Sequence, residues 1–557
     1  VASAHPLATR AAIEAMRAGG NAVDALVAAS MVLTVVVPQS TGIGGGGFAI
    51  IQPVGADPLA VDFRETAPAA TLRADYLDPQ GRAVAERSRN HGLAVGVPGY
   101  VAGLWQMHQR FGRRPWAALV TPAAEIARRG FEVDAALARK IGLVADALDP
   151  AAREIFLVDG RPLAAGAILR SPALARTLDA LAAGGSDAFY KGAIAADIAA
   201  TVQRHGGRLT VADLAAYRVR EGPPLRGRFF DFEALTMPQP SAGGAQLLVM
   251  AEMVEARWPK RLSAAGSRDA IAIDRELLSK PMRRPWPVSR AQLITEAMRR
   301  SFLLRLAFIG DVAKPGLDLD SIFPAPARKR IAATWREDAP TPTDTLAPLI
   351  SDAGGRKLEV HSNTSHVSIV DQDGMAVSST HTVNLLFGSG IVAAASGIVL
   401  NNELDDFSIT LKDSNAFGLA GSSANLIRAG ARPVSSMTPT IILRAGTPYV
   451  VIGTPGGTRI VTTVFQILLS VLVEGEALAD AIAAVRLHHQ AWPDKLSVEE
   501  GDGSVAITGA LRSLGYDVAL GDPWCNAQAV LTWGDPSGPK VEAVSDPRGV
   551  GGAMVLE

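Results

Sequence analysis

Residues 361–374 read HSNTSHVSIVDQDG, and the reading of the chain turns on whether Thr364 begins a strand or a polypeptide. A polar cluster opens an alternating apolar run, and Gln372-Asp373-Gly374 closes that run with a hairpin signal before a second run, MAVSSTHTV. A threonine hydroxyl in mid-chain is a poor nucleophile at neutral pH and needs a base, yet no His–Asp partnership lies nearby. Cutting the Asn363–Thr364 bond would supply one. The freed α-amine, with a reference pKa of about 7.7–8.0, is a base carried on the nucleophile's own residue. On this reading the chain is an autoprocessing hydrolase; on the other, Thr364 merely starts a strand.

Outward from this stretch, the texture mixes helices and strands. Pro6 to Met16 and Asn21 to Val35 predict two helices divided by Gly19-Gly20, with Asn21 capping the second. TGIGGGGFAI and the strand-like LAVDFRE follow. Residues 100–220 are alanine-rich, with helices expected at Val101 to Arg110, Pro122 to Arg129 and Ala173 to Ala183. Segment 255–290, with prolines and basic residues, reads as a loop or local elaboration, and 291–309 as helix. Beyond the break near 360, TPTIILR, PYVVIG and AQAVLTW predict strands, and 460–474 and 477–487 predict helices. Strands sharing a region with long helices point to a layered α/β body.

Composition narrows the classes. The chain has 557 residues, 48% hydrophobic and 20% charged, with a formal net charge of -1. That balance gives no reason to expect nucleic acid or an anionic membrane as partner. Arg283-Arg284 and Arg299-Arg300 read as solvated surface. Cys525 is the single cysteine, so an intrachain disulfide and a cysteine-rich metal site are excluded. The longest apolar stretch, Ala22 to Pro38, contains Asp24, Ser30 and Thr34 and is too short and polar for a membrane span. No leader precedes it, and the start at Val1 rather than methionine implies that something was removed or left out.

Local motifs leave alternatives open. Gly42, Gly44 and Gly47 satisfy G-x-G-x-x-G formally but run into a strand instead of a helix, so they read as a tight turn or close backbone approach and not a dinucleotide site. Arg64, at a strand end, can clamp a carboxylate with its two-donor fork or be satisfied by Glu65. Glu403, Asp405 and Asp406, beside Asn401 and Asn402, read as a solvated loop or as a site for an ammonium or hard cation. The Gly456-Gly457 turn can present backbone N–H groups to an oxyanion or be an ordinary turn. Ser435 and Ser436 are further polar candidates. His361, His366 and His381 lack the HExxH arrangement, and alternation puts His361 and His366 on opposite faces, so no metal site is expected. There is no GxSxG elbow.

Taken together and in order, HPLATRAAIEAMRAGGNAVDALVAA, PQSTGIGGGGF, VDFRETAP, GVPGYVAGL, MPQPSAGG, NTSHVSIVDQDG, LNNELDDF, RPVSSMTPT, GTPGGTRI and SDPRG give a chain that resembles the γ-glutamyltranspeptidase family, with its cephalosporin-acylase relatives, over nearly its whole length. The resemblance implies an N-terminal-nucleophile fold, a four-layer αββα sandwich with additional helices. It also implies self-cleavage at Asn363–Thr364 into a large segment, 1–363, and a small one, 364–557, that stay together as one catalytic unit. By the same resemblance Thr364 is the nucleophile, Thr382 bonds the nucleophile region, and Gly456-Gly457 form the oxyanion hole. Arg64 grips the substrate α-carboxylate with Ser435 and Ser436, while Asn384, Glu403 and Asp406 hold the α-amino end.

A γ-glutamyl group carries an amine and a carboxylate on one carbon, which calls for acid and arginine together. The expected reaction forms a γ-glutamyl ester on Thr364 and passes it to water, an amino acid or a peptide, without metal or organic cofactor. A periplasmic or secreted location follows from the resemblance, with a cytoplasmic one left open. Departures are Asn363 before the cut, Leu304 where relatives often carry an acid, Phe417 where tyrosine is common, and the 255–290 stretch. Asp406 favours γ-glutamyl recognition over glutaryl-cephalosporin or other small-amide chemistry. An unprocessed, non-enzymatic binding protein is the remaining alternative.

Overall fold

The alternation in SHVSIV folds as expected: strand Ser365–Val370 pairs antiparallel with Ala376–Thr382, in a register that sets Ser365 opposite His381 and Val370 opposite Ala376. Gly374, at φ +95°, supplies the left-handed turn residue between them. The structure is a computed structural model and describes residues 1–258, 288–336, 339–349, 363–535 and 538–556.

This hairpin is the centre of a seven-stranded sheet. Its spatial order is Gly552–Ala553, Ala2–Ser3, Ser365–Val370, Ala376–Thr382, Gly46–Gln52, Leu59–Phe63 and Arg220–Gly222. A six-stranded sheet lies against it, ordered Gly538–Ser545, Gln528–Asp535, Thr447–Gly453, Thr440–Arg444, Phe232–Thr236 and Leu225–Phe229. Phe48, Ile50, Leu235, Ile441, Val451 and Val530 fill the space between them. A polar seam crosses the same space: Ser368 Oγ donates to the Gln528 carbonyl at 3.0 Å and Ser378 Oγ to the Ile452 carbonyl at 3.0 Å. Buried hydroxyls that reach a carbonyl avoid the desolvation penalty of unpaired polar groups.

Helices cover both outer faces. Ala22–Val36 packs with Val367, Ile369 and Val377 of the first sheet. Gly243–Glu255 and Arg459–Leu469 pack with Ile442, Val450 and Ile452 of the second. The expected αββα sandwich is therefore the observed one. The apolar stretch from Ala22 is a core helix buried on every side, and no described helix is long and apolar enough to cross a membrane. Asn21 caps it with a reciprocal Asp24 bond, as its sequence predicts.

Several expectations are corrected. Arg299 and Arg300 are buried and paired with Glu296, not solvated; charges inside an apolar helix are tolerated there because the counter-ion lies within one turn. The helix expected from Pro122 begins six residues earlier and spans Trp116–Arg129, since Trp116, Leu119 and Val120 bury its first turn and carry it past the proline. The helix expected over 477–487 stops at Ala483. Beyond it Arg486 turns inward to Asp546 (2.5 Å) and Leu487–His488 joins Leu496–Glu499 as a strand. His361, Arg283-Arg284 and most of 255–290 lie outside the described residues.

Candidate active site

The register that opens the hairpin places Thr364 beside Thr382, their hydroxyls 3.2 Å apart. Thr382 Oγ1 accepts the Asn384 N–H at 2.8 Å and donates to the Asn363 carbonyl at 2.9 Å. A hydroxyl has one hydrogen, so Thr364 is the donor in the pair. Asn363, ahead of the bond to Thr364, is thus held at three points: its carbonyl by Thr382, its N–H by the Asn384 carbonyl (3.3 Å) and its side-chain amide by the Gln39 carbonyl (3.1 Å). Asn384, at φ +77°, uses its side chain to donate to the Asn402 carbonyl at 2.9 Å.

Asn402 leads directly into the acidic turn Glu403–Asp406. The solvated-loop reading of that turn is corrected: Glu403, Leu404 and Asp405 are buried. Arg64, projecting from the end of Leu59–Phe63, pairs with Glu403 and with Asp406 (2.5 Å), and donates to the Pro433 and Val434 carbonyls, both at 3.2 Å. Its sequence neighbour Glu65 does not take the charge. Glu65 is fully buried, and neither of its oxygens meets an N–H or hydroxyl donor. Burial, with the adjacent negative Glu403, pushes the Glu65 carboxyl well above the usual range. Glu403 is pushed up to about 7 by burial, against the pull of Arg64, and Asp406 is raised for the same reason. Ser435 and Ser436 follow the two carbonyls that Arg64 grips. Ser436 Oγ accepts from Arg305 at 2.5 Å.

Thr364, Asn363 and Gly456 line one open cavity of about 1340 Å³. Gly456 (φ +136°) and Gly457 (φ +57°) adopt backbone that favours glycine, and a side chain at 456 would collide with Cys525 Sγ. Neither glycine N–H has an acceptor among the described residues. They stand just ahead of helix Arg459–Leu469, whose N-terminal end adds a favourable potential for an anion. Cys525, pushed up to about 11 by burial, stays a neutral thiol. Of the histidines, His366 bonds Thr380 at 2.8 Å and His381 packs on Tyr100; among the described residues no cluster of His, Cys, Asp or Glu is arranged to hold a metal.

The structure therefore brings together Thr364, Thr382 and Asn384 in one hydrogen-bonded set, and Arg64, Glu403 and Asp406 in another, joined through Asn384 and Asn402. Gly456 and Thr364 line the same cavity. Two features escaped the sequence reading: the burial of Glu65 without a hydrogen-bond donor, and Arg305. The one signal for Arg305 was a lone cation in the apolar run FLLRLAF.

Two stacked sheets between helices, with Thr364 just ahead of a central strand and beside a cavity, form the N-terminal-nucleophile hydrolase fold. The chain belongs to the γ-glutamyltranspeptidase family, whose model matches residues 8–556. It is 36% identical to the glutathione hydrolase proenzyme of Escherichia coli over 554 residues, 99% of this chain and 90% of the relative. It is also 36% identical to the glutathione hydrolase proenzyme of Pseudomonas aeruginosa over 570 residues, 100% and 94% of the two chains. Among solved structures, cephalosporin acylase from Bacillus halodurans superposes over 100% of this chain and 95% of its own, with a TM-score of 0.81 at 23% identity, a likeness of fold. The Helicobacter pylori γ-glutamyltranspeptidase covers 62% of this chain, and 93% of its own, at 30% identity and a TM-score of 0.54.

Proposed function

We propose that this protein cleaves itself before Thr364 and then hydrolyses or transfers γ-glutamyl groups of glutathione-like amides. The observation that carries the reading is the hydrogen-bonded set at the bond to be cut. Thr364 Oγ attacks the Asn363 carbonyl carbon, and Thr382 Oγ1–H stabilises the oxygen as charge develops on it. The C–N bond breaks with the proton passing to nitrogen, and water then hydrolyses the resulting ester. The products are the segments 1–363 and 364–557, the second beginning with a free amine.

In the mature site that amine takes the Thr364 hydroxyl proton as Oγ attacks the γ-carbonyl of the substrate. The Gly456 and Gly457 N–H groups receive the oxyanion. The leaving amine departs protonated, and water or the amine of an amino acid or peptide resolves the ester. Arg64, with Ser435 and Ser436, holds the α-carboxylate, while Asn384, Glu403 and Asp406 hold the ammonium. Without substrate Arg64 is occupied by Glu403 and Asp406. A bound zwitterion replaces these two pairs with its carboxylate on Arg64 and its ammonium on the acids, so neither acid nor arginine is left buried alone. A periplasmic or extracellular location suits the supply of such substrates.

Intact mass decides the first step: two pieces divided before Thr364 are expected, and Thr364→Ala is expected to remain one inactive chain. Cleavage elsewhere, or activity in that variant, refutes the proposal. Equal release from glutaryl and γ-glutamyl anilides would instead favour a glutaryl-type acylase, since glutaryl lacks the ammonium.

A further inference from the structure

We infer that Arg305 is a positioning residue for the carboxylate end of the substrate, fixing the Ser436 hydroxyl as a donor and standing behind it as a second cation. The inference rests on the γ-glutamyl reading above and deepens it. Arg305 lies in the last turn of helix Val288–Phe308, between the buried Leu303, Leu304 and Leu306, and is itself 5% exposed. A guanidinium only donates, so its 2.5 Å contact with Ser436 makes Oγ the acceptor. The single hydroxyl hydrogen of Ser436 is then free for another partner, and a hydroxyl that accepts a charge-assisted bond is the stronger donor for it.

The charge itself asks for a partner. Among the described residues no carboxylate lies within ion-pair distance of Arg305. Asp406, whose field it feels, is already held by Arg64, and Arg64 is a like charge beside it. Burial, with Arg64 adding to it against the pull of Asp406, lowers the guanidinium to about 10, so it remains cationic at neutral pH. A buried cation without its own counter-ion is unfavourable unless an anion completes the site. Arg305 and Asp406 line a small cavity of about 250 Å³ together with Asn415, Asn425 and Val434, so Arg305 borders open space as well as the packed helix. A purely architectural role, pinning the 434–436 turn to the helix, needs the Ser436 bond but not the missing counter-ion.

Two substrates and a double-variant cycle separate these. γ-Glutamyl-p-nitroanilide carries both head groups; 4-aminobutyryl-p-nitroanilide keeps the ammonium and lacks the carboxylate. Arg305→Met is expected to lower the preference in kcat/KM for the γ-glutamyl substrate at least about ten-fold, with the loss carried by KM. In a Ser436→Ala background the same change should have much less effect, because the two act as a unit. Equal losses on both substrates, or full additivity with Ser436→Ala, overturn the inference. If Arg305→Met does not accumulate as processed enzyme, Arg305→Gln is read on the same preference ratio. A wild-type enzyme with no preference between the substrates overturns the γ-glutamyl reading itself. A wild-type preference that Arg305→Met leaves intact overturns only the role of Arg305.

Discussion

At Arg64 two carboxylates and two carbonyls meet one guanidinium, and replacing the fork should be felt at once. Arg64→Lys keeps the charge but not the bidentate geometry, and we expect KM for γ-glutamyl substrates to rise about 10- to 100-fold. Arg64→Met strands two buried acids and should lose about 3–5 kcal/mol, read from urea denaturation. Glu403 gives a pH signature. Its ordinary value is 4.5 and its folded value about 7. The stability it contributes is therefore fully present below 4.5 and is lost as pH rises through about 7. Binding runs the other way: KM should fall across that window as the carboxylate ionises to meet the ammonium, and Glu403→Gln should flatten the profile. A flat wild-type KM between about pH 5 and 8 would count against Glu403 as the ammonium's partner. The order of motifs made Arg64 and the acids legible in the sequence. Which acids Arg64 takes was not, because VDFRE offers Glu65 next door while the true partners lie 339 and 342 positions away. Glu65 and Arg305 have unusual electrostatics only because of what packs across them.

Among the elements, the hairpin and the capped helix Ala22–Val36 were readable because turn chemistry and caps are local. Their connection was not. Asp371 accepts the Ala22 N–H at 2.9 Å with one oxygen, and with the other those of Asp373 (3.0 Å) and Met375 (2.9 Å). One carboxylate thus ties the turn of the hairpin that follows Thr364 to the first residue of a helix in the other half of the chain. Asp371→Ala should lower stability by about 1–3 kcal/mol, seen as a reduced denaturation midpoint. The glycine tract also presses on this hairpin: a Cβ at Gly45 would collide with the Thr382 carbonyl. Gly45→Ala should therefore impair self-cleavage, detected as accumulation of uncut chain on denaturing electrophoresis. Where the sequence reading of elements failed, at Trp116–Arg129 and past Ala483, burial of a neighbouring turn or an inward arginine overruled the local proline and periodicity.

For the whole molecule, the layered α/β class followed from the mixture of strands and long helices, and the motif order supplied αββα. The interleaving needed the structure. In the first sheet, Ser365–Val370 lies beside Ala2–Ser3, and Ala376–Thr382 beside Gly46–Gln52; in the second, Thr440–Arg444 lies beside Phe232–Thr236. Fragments divided before Thr364 would share both sheets. They should co-elute in size exclusion and separate only in denaturant, and fragments expressed apart should fail to fold. Two peaks under native conditions would be incompatible with this architecture.

The bond ahead of Thr364 is gripped by Thr382, Asn384 and Gln39, groups that meet only when the central sheet has assembled from both halves of the chain. Cleavage then works as a timer and an inspection at once. A nascent or misfolded chain has no aligned hydroxyl and no polarised carbonyl, so it releases no amine and carries no live nucleophile. The amide-cleaving chemistry is withheld until the molecule that must contain it is complete.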